Sequence, residues 1–533
     1  MACDIWRRYE QRRSGTGAVR ALMKKIASFL VSRMFWLFVL IAAQAAFWIL
    51  LAVRLEEARE GINAAFWVIS LFLALWVTTR DENPAYKIGW IFLILAVPVF
   101  GILMYFFFSQ RKLGPRQRAR GSDIVERARP YLLPSKACRD HLWQTSESGF
   151  RQSEYIYAAS HFPLWEHTRT RYFPMGSDFW ESLVEDLRKA EKYIFMEYFI
   201  VEEGIMFDTI FEILAAKAEA GVDVRFMYDD IGSMTKVPAG FANMMREHGI
   251  RCQVFNPLRP ILNSMFNNRD HRKITVIDGR VGYTGGANLA DEYINARKRF
   301  GTWKDAAIRL EGEAVWSLLV MFLQMWCYAE GVDESLEPFL PERQDNAAVQ
   351  TDGFVQPYGD SPLDNNPVCQ RAYLNLITRA RNYVYINTPY LDVGNELLDA
   401  LTIAAKSGVD VRMTVTHIPD KKMVFLLTKA YYPVLIRAGV KIYEYTPGFI
   451  HSKTFVCDDV VGIVGTINLD FRSLYLHWED GVWLYGTSCL ADMKEDYLRT
   501  LEIAHEVTYA ETQSLGPVRR FVQAVLRVFG PLL

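Results

Sequence analysis

Hydrophobic positions follow two different patterns along this chain. Near the N-terminus they form unbroken, charge-free runs from Met34 to Val53, Gly61 to Thr79 and Ile88 to Gln110. Each approaches the roughly 20 residues a helix needs to cross the apolar core of a bilayer, so three successive runs rich in Trp and Phe predict membrane segments rather than core helices. A cleaved leader is disfavoured, because no small-residue cleavage site follows the first run and two more runs come at once. From about Tyr155 onward, short apolar strands alternate with amphipathic helices, the pattern of an α/β body. Within that body the strongly apolar stretch from Trp316 to Tyr328 predicts a buried helix. Near the end, Val518 to Phe529 has an apolar face beside Arg519, Arg520 and Arg527, suited to a membrane surface or to docking on the body.

The α/β pattern occurs twice. Tyr193-Ile-Phe-Met-Glu-Tyr198 answers Tyr383-Val-Tyr-Ile-Asn-Thr388, each a β-rich run after a basic helical stretch. The helices that follow end alike, with Gly221 and Gly408 where a helix C-terminus turns into a strand. Gly249 to Phe255 then answers Gly439 to Tyr445. The fourth correspondence carries chemistry: His271-Arg-Lys273-Ile-Thr-Val-Ile-Asp278 answers His451-Ser-Lys453-Thr-Phe-Val-Cys-Asp458. Each copy continues to a Gly-rich turn ending in Asn288 or Asn468, with 17 positions from His to Asn in both. In an extended segment, residues two apart share a face, so each copy projects an imidazole beside an ammonium while the residue between them points away. Two halves packed about a pseudo-twofold would bring two His and two Lys to one cleft. That set suits phosphodiester chemistry without a metal or other cofactor. One imidazole attacks phosphorus, the other protonates the leaving alkoxide, and Lys273, Lys453, Asn288 and Asn468 donate to the nonbridging oxygens. The segment Ile261 to Asp270 is an insertion relative to the second copy, a lid, a lipid-facing lip or a plain loop.

Composition sets outer bounds. With 533 residues, 51% of them hydrophobic and 14% aromatic, the chain exceeds one core and is too apolar for disorder. The 60 basic residues balance 61 acidic ones, so global charge gives no case for a nucleic-acid partner. Seven cysteines, an odd number without a CxxC pair, suggest neither a disulfide framework nor a zinc knuckle. Local charge is more telling. Eight basic residues lie within the first 33 positions, and Arg111, Lys112, Arg116, Arg118 and Arg120 follow the third run. Both flanks favour the cytoplasmic side, which three full spans cannot satisfy. The expectation is two or three spans, a cytoplasmic body, and basic flanks able to hold anionic lipid headgroups.

These paired motifs resemble those of the phospholipase D superfamily, and the words around them are similar to the bacterial cardiolipin synthases of that superfamily. The resemblance rests on Asn268 to Asp278, Gly285 to Tyr293, Trp303-Lys-Asp305, Thr388-Pro-Tyr390, Tyr443 to His451 and Gly465 to Ser473. In the membrane region Asn83 to Trp90 and Pro98 to Gly101 add to it, and coverage runs from about Phe35 to the C-terminus. It implies an α/β fold of two tandem phospholipase D-like α/β/α sandwich domains behind an N-terminal membrane-helix region. The expected divisions are a basic segment 1–33, a membrane region 34–110, a basic linker 111–150, domains 151–345 and 346–515, and a C-terminal amphipathic helix 516–533. It further implies a membrane-bound phosphatidyltransferase acting on phosphatidylglycerol and other anionic phospholipids. One phosphatidylglycerol would give a phosphatidyl-histidine, a second would supply the accepting hydroxyl, and cardiolipin and glycerol would result. By family analogy His271 is the nucleophile and His451 the general acid, although the symmetry of the repeat leaves them interchangeable in sequence. Asp305 and Glu479 match the carboxylates that orient the histidines, while Asp278 and Asp458 belong to the catalytic signature and hold its loops. His477 departs from the family text, which often has Asn there. Water or another alcohol as acceptor remains the alternative. A nuclease is disfavoured by the membrane runs, and an inactive scaffold by complete His, Lys and Asn sets in both halves.

Overall fold

The computed structural model describes residues 59–109, 113–257, 267–341, 349–350 and 352–532, with isolated positions 39, 42 and 46. The first basic cluster, the run Met34 to Val53 except for those positions, most of the insertion after Ile261 and the expected boundary at 345/346 lie outside the described residues. The chain forms two compact units, the first from Met1–Leu113, Leu258–Asn267 and Val525–Leu533, the second from Gly114–Pro257 and Asn268–Ala524.

In the first unit, helix Arg59–Thr78 is 20 residues long and leaves Trp67, Leu71, Phe72 and Leu75 about half exposed or more, an apolar surface. It is the only helix among the described residues both long and apolar enough to cross a membrane. The run Ile88 to Gln110, read as one membrane segment, is instead broken into Pro84–Ala96 and Pro98–Phe108. Pro98 has no N–H to donate, so the first helix stops before it and a second begins with proline in its first turn. Gly101 permits the sharp bend, since a Cβ there would overlap the carbonyl of Leu93. Val77, Trp90, Ile94 and Tyr105 form the buried centre of this unit, with the Trp90 and Tyr105 rings edge to face at 5.5 Å.

The second unit holds two mixed sheets of matching topology. The first comprises β1 (Thr168–Phe173), β2 (Tyr193–Tyr198), β3 (Asp223–Asp229), β4 (Arg251–Phe255), β5 (Ile274–Ile277), β6 (Val281–Gly285) and, after the short β7 (Thr302–Lys304), β8 (Ala307–Gly312), in the order β1-β8-β6-β5-β2-β3-β4. The second comprises β9 (Phe354–Asp360), β10 (Tyr383–Asn387), β11 (Asp410–Thr416), β12 (Lys441–Tyr445) and, after the short β13 (Gly448–Ile450), β14 (Thr454–Cys457), β15 (Val461–Gly465), β16 (Glu479–Tyr485) and β17 (Ala504–Glu506). Its order is β17-β12-β11-β10-β14-β15-β16-β9, the same sequence of partners with β17 added at one edge. The duplication read from the sequence is therefore a duplication of sheet. The central strands are buried along their length, as continuous apolar runs predict. Gly221 and Gly408 adopt φ of 90° and 95°, the left-handed turn that ends each helix before β3 and β11.

The apolar stretch around Trp316 forms the buried helix Val315–Glu330, with Phe322 stacked on Phe195 of β2 at 5.1 Å. The described part of 111–150, expected as a linker, is instead helical: Pro115–Ala128 and Lys136–Thr145 lead into Glu147–Ser160. Glu147–Ser160 packs on the second sheet, where Gly149 leaves room for the Tyr485 ring and Trp483 Nε1 donates to Gln152 at 3.1 Å. The last helix, Pro517–Phe529, keeps Val518 and Phe521 exposed while Gln523 donates to the carbonyl of Leu426.

A candidate active site built twice

Each copy of the repeated motif begins just before a β-hairpin. The segment bearing His271 pairs with the other half: Asp270 bridges to Trp478, and His271 N–H donates to the Trp478 carbonyl at 3.0 Å. In mirror fashion β13 pairs with β7, Ile450 opposite Lys304, and His451 N–H donates to the Lys304 carbonyl at 2.7 Å. Because the residue after each of these partners is a carboxylate, each imidazole meets an acid from the opposite half. His271 Nδ1 lies 2.9 Å from Glu479, and His451 Nδ1 lies 2.7 Å from Asp305. Neither half completes a pair alone.

Lys273 and Lys453 are fully buried, and each ammonium donates to the main-chain carbonyl of its own histidine. Arg272, between His271 and Lys273, turns away as the two-residue period requires and donates to Glu197 at 2.8 Å. Asn288 accepts from Ile200 N–H and donates to Tyr293 at 2.7 Å, whereas Asn468 Oδ1 is buried without a hydrogen-bond partner among the described residues. Phe199 packs against His271, and Tyr293 and Trp303 against His451, with ring centroids 5.1 to 5.7 Å apart.

Of the residues singled out by the motifs, the structure brings together His271, Lys273, His451, Lys453, Asp305 and Glu479, with Asn288 and Asn468 beside them. It does not bring Asp278 and Asp458 there, which belong to the catalytic signature and are expected to hold its loops. Each sits in the turn at the far end of its strand from the histidine, with φ of 53° and 54°. Asp278 accepts the N–H groups of Glu191, Lys192 and Tyr193, and Asp458 those of Arg381, Asn382 and Tyr383, all at 2.7 to 2.9 Å. Both therefore anchor the start of the neighbouring strand. Asp278→Ala is expected to destabilise the protein by about 1 to 2 kcal/mol, the usual worth of a carboxylate cap, and to lower the melting temperature by a few degrees. Activity below the melting transition should survive. Lost activity in a variant that melts like the parent would return Asp278 to the chemistry.

The sequence reading missed the residues that make the two pairs unequal. Gly286 leaves space for Asp305, whose Oδ1 a Cβ would overlap, while the equivalent Thr466 fills that space and donates to Glu479. Matching the two Gly-rich turns position by position, Gly-Gly against Gly-Thr, held the available signal. The electrostatics differ accordingly. Burial pushes Asp305 up, but His451 and Lys453 outweigh it and the carboxyl ends below its usual range. Burial pushes Glu479 well above its usual range, only partly opposed by Lys273. Burial, then Lys273 and the other imidazoles, holds His271 well below the ordinary histidine value. His451 is lowered to about 4 by burial and Lys453, against the pull of Asp305. Burial also lowers Lys273 to about 8 and, with Lys273 adding to it, Lys453 to about 7. The cleft thus holds crowded cations and neutral imidazoles, a field that an anionic ligand would relieve. Among the described residues no group of three or more His, Cys, Asp or Glu is placed to hold a metal ion.

Residues 183–303 and 373–501 match the family model described as cardiolipin synthase, PLD-like domain, and residues 65–110 match the phospholipase D-nuclease N-terminal model. The chain is 41% identical over 460 residues to an uncharacterised protein of Streptococcus mutans, covering 86% of this chain and 99% of that one. It is 31% identical over 477 residues to a cardiolipin synthase of Alkalihalophilus pseudofirmus, covering 89% and 94%. Among solved structures, a phosphatidylserine synthase of Haemophilus influenzae shares the fold, with a TM-score of 0.55 at 15% identity over 72% of this chain and 97% of that one.

Proposed function

The chain belongs to the cardiolipin synthase family of phospholipase D-like proteins, and from that premise we propose that it joins two phosphatidylglycerol molecules into cardiolipin and glycerol. It is a phosphatidyltransferase, and its substrates are phospholipids. The observation that carries the finer reading is the pair of buried His-carboxylate couples completed across the two halves, each with its own lysine.

In this reading His271 Nε2 attacks the phosphorus of the first lipid. The P–N bond forms, the P–O bond to glycerol breaks, and His451 gives its proton to the departing alkoxide. A glycerol hydroxyl of the second lipid then loses its proton to His451 and attacks phosphorus. The P–N bond breaks, cardiolipin leaves and His271 is restored. Lys273, Lys453 and Asn468 hold the nonbridging oxygens as negative charge grows. Two features support this division of roles. An ionised Asp305 favours a proton on His451 once a phosphodiester anion offsets the lysines, and a neutral Glu479 leaves His271 uncharged and nucleophilic.

The test is to incubate the detergent-purified protein with phosphatidylglycerol alone and follow products by mass spectrometry. Cardiolipin with equimolar glycerol supports the reading, while phosphatidic acid alone would make the acceptor water. The lysines give it a pH signature. Their charge is lost as pH rises through about 7 to 8, so kcat/KM for phosphatidylglycerol should fall over that window rather than near the ordinary lysine value of about 10.4. A profile flat to pH 10 would mean the lysine charges are not used. We further propose a multi-pass membrane protein with its catalytic halves on the cytoplasmic side, supported by Arg116, Arg118 and Arg120 following the apolar helices. Labelling of a cysteine introduced on the body by an impermeant reagent outside intact cells would reverse that orientation.

A further inference from the structure

The pseudo-twofold pairs Trp303 with His477, each two residues before the carboxylate that meets a histidine from the other half. Trp303 lies 5.7 Å from the His451 ring, and His477 lies 5.9 Å from the His271 ring with the planes 36° apart. The two reaction-centre imidazoles are thus flanked by an indole on one side and a third imidazole on the other. His477 is 9% exposed. Its Nδ1 faces the backbone N–H of Arg269 at 3.3 Å, and that contact fixes the tautomer. A nitrogen receiving an N–H carries its lone pair, so the ring proton resides on Nε2. The contact is anchored by main chain, because Trp478 N–H donates to the Arg269 carbonyl at 2.9 Å and Asn268 donates to Leu476 at 2.8 Å. Turning the His477 ring would break its contact with the Arg269 N–H.

Burial, then Arg472, Arg269, Lys273 and Lys421, keeps the ring neutral. Its Nε2–H has no hydrogen-bond partner among the described residues. Phe199, packed on the same His271 imidazole at 5.1 Å, fills its place with a ring that carries no donor, so packing alone does not call for an N–H at position 477. The missing acceptor is supplied if substrate brings one.

We propose that His477 is a third histidine of the reaction centre, whose Nε2–H donates to a phosphodiester oxygen of the group being transferred to His271. It rests on the phosphatidyl-transfer reading above and adds to it a neutral donor, distinct from the two lysines, on the nucleophile's side of the phosphorus. The donor strengthens as the oxygen gains charge, so its effect falls on the chemical step.

The test compares His477→Phe, which keeps a ring and removes the donor, with His477→Asn, whose carbonyl can accept from Arg269 while its amide N–H donates. Single-turnover formation of the covalent enzyme and kcat/KM are measured with phosphatidylglycerol and with a soluble aryl phosphodiester. Both rates should fall about 10- to 100-fold in His477→Phe with either substrate, and remain within a few-fold of the parent in His477→Asn. Thermal melts of both variants accompany the rates. Full rates in His477→Phe, or equal losses in the two variants, would overturn the proposal and leave His477 a packing residue. Parent protein that turns over the aryl diester but not phosphatidylglycerol would defeat the lipid reading instead, with His477 still judged on the aryl diester.

Discussion

His271→Ala is expected to lower cardiolipin formation by at least about 10⁴-fold, since in the proposed reaction it removes the atom that bonds to phosphorus. His451→Ala should be as damaging with phosphatidylglycerol, because a glycerol alkoxide is too basic to depart without a proton. The two variants part company when the leaving group needs no acid. With an aryl phosphodiester, His451→Ala should still form the covalent phospho-enzyme at a rate near that of the parent, and intact-protein mass spectrometry should detect the adduct. His271→Ala should form none. The opposite pattern, an adduct in His271→Ala and none in His451→Ala, would exchange the roles and with them the meaning of the Asp305 and Glu479 asymmetry. The comparison resolves what the sequence leaves open, because two copies of one motif carry no mark of which histidine attacks.

Much of the architecture was legible for a related reason. A duplicated α/β unit writes its strands, helix ends and turns twice, so Gly221 with Gly408 and Tyr193 with Tyr383 reinforce each other, and the sheets follow in matching order. The pairing of histidines with carboxylates from opposite halves was legible only through the resemblance. His271 and Glu479 are 208 positions apart, and nothing local in either segment announces the other. One reading failed on a single residue. Pro98 cuts an apolar run that hydropathy alone joins, because hydropathy does not register a missing backbone donor. Asp278 and Asp458 recur with the motif as faithfully as the lysines do, yet recurrence cannot separate a group that touches substrate from one that caps a turn. Their hydrogen bonds to backbone make the distinction. His477 illustrates the reverse case, a residue outside the repeat's shared text that the fold places against His271.

The unequal carboxylates lead to the second large effect. Asp305 and Glu479 occupy equivalent places, so a reading based on position alone expects equal losses from Asp305→Asn and Glu479→Gln. Their surroundings argue otherwise. Asp305 is held ionised by His451 and Lys453, its Oδ1 accepts the Ala306 N–H at 2.9 Å, and Gly286 keeps the approach free of a side chain. An amide in its place removes the charge that steadies a protonated His451 and can present an N–H to Nδ1, forcing the wrong tautomer on the acid. The loss should be about 10² to 10⁴ in kcat, the range seen when a buried aspartate behind a catalytic histidine is neutralised. Glu479 is pushed toward its neutral form by burial and receives the Thr466 hydroxyl, so glutamine replaces a neutral group with another of similar shape. Its cost should be about tenfold or less, near that of one altered hydrogen bond. Measuring kcat for both variants with phosphatidylglycerol decides the point. A Glu479→Gln loss as deep as that of Asp305→Asn would mean that both carboxylates are charged during turnover, and the electrostatic ground for calling His271 the nucleophile would be gone.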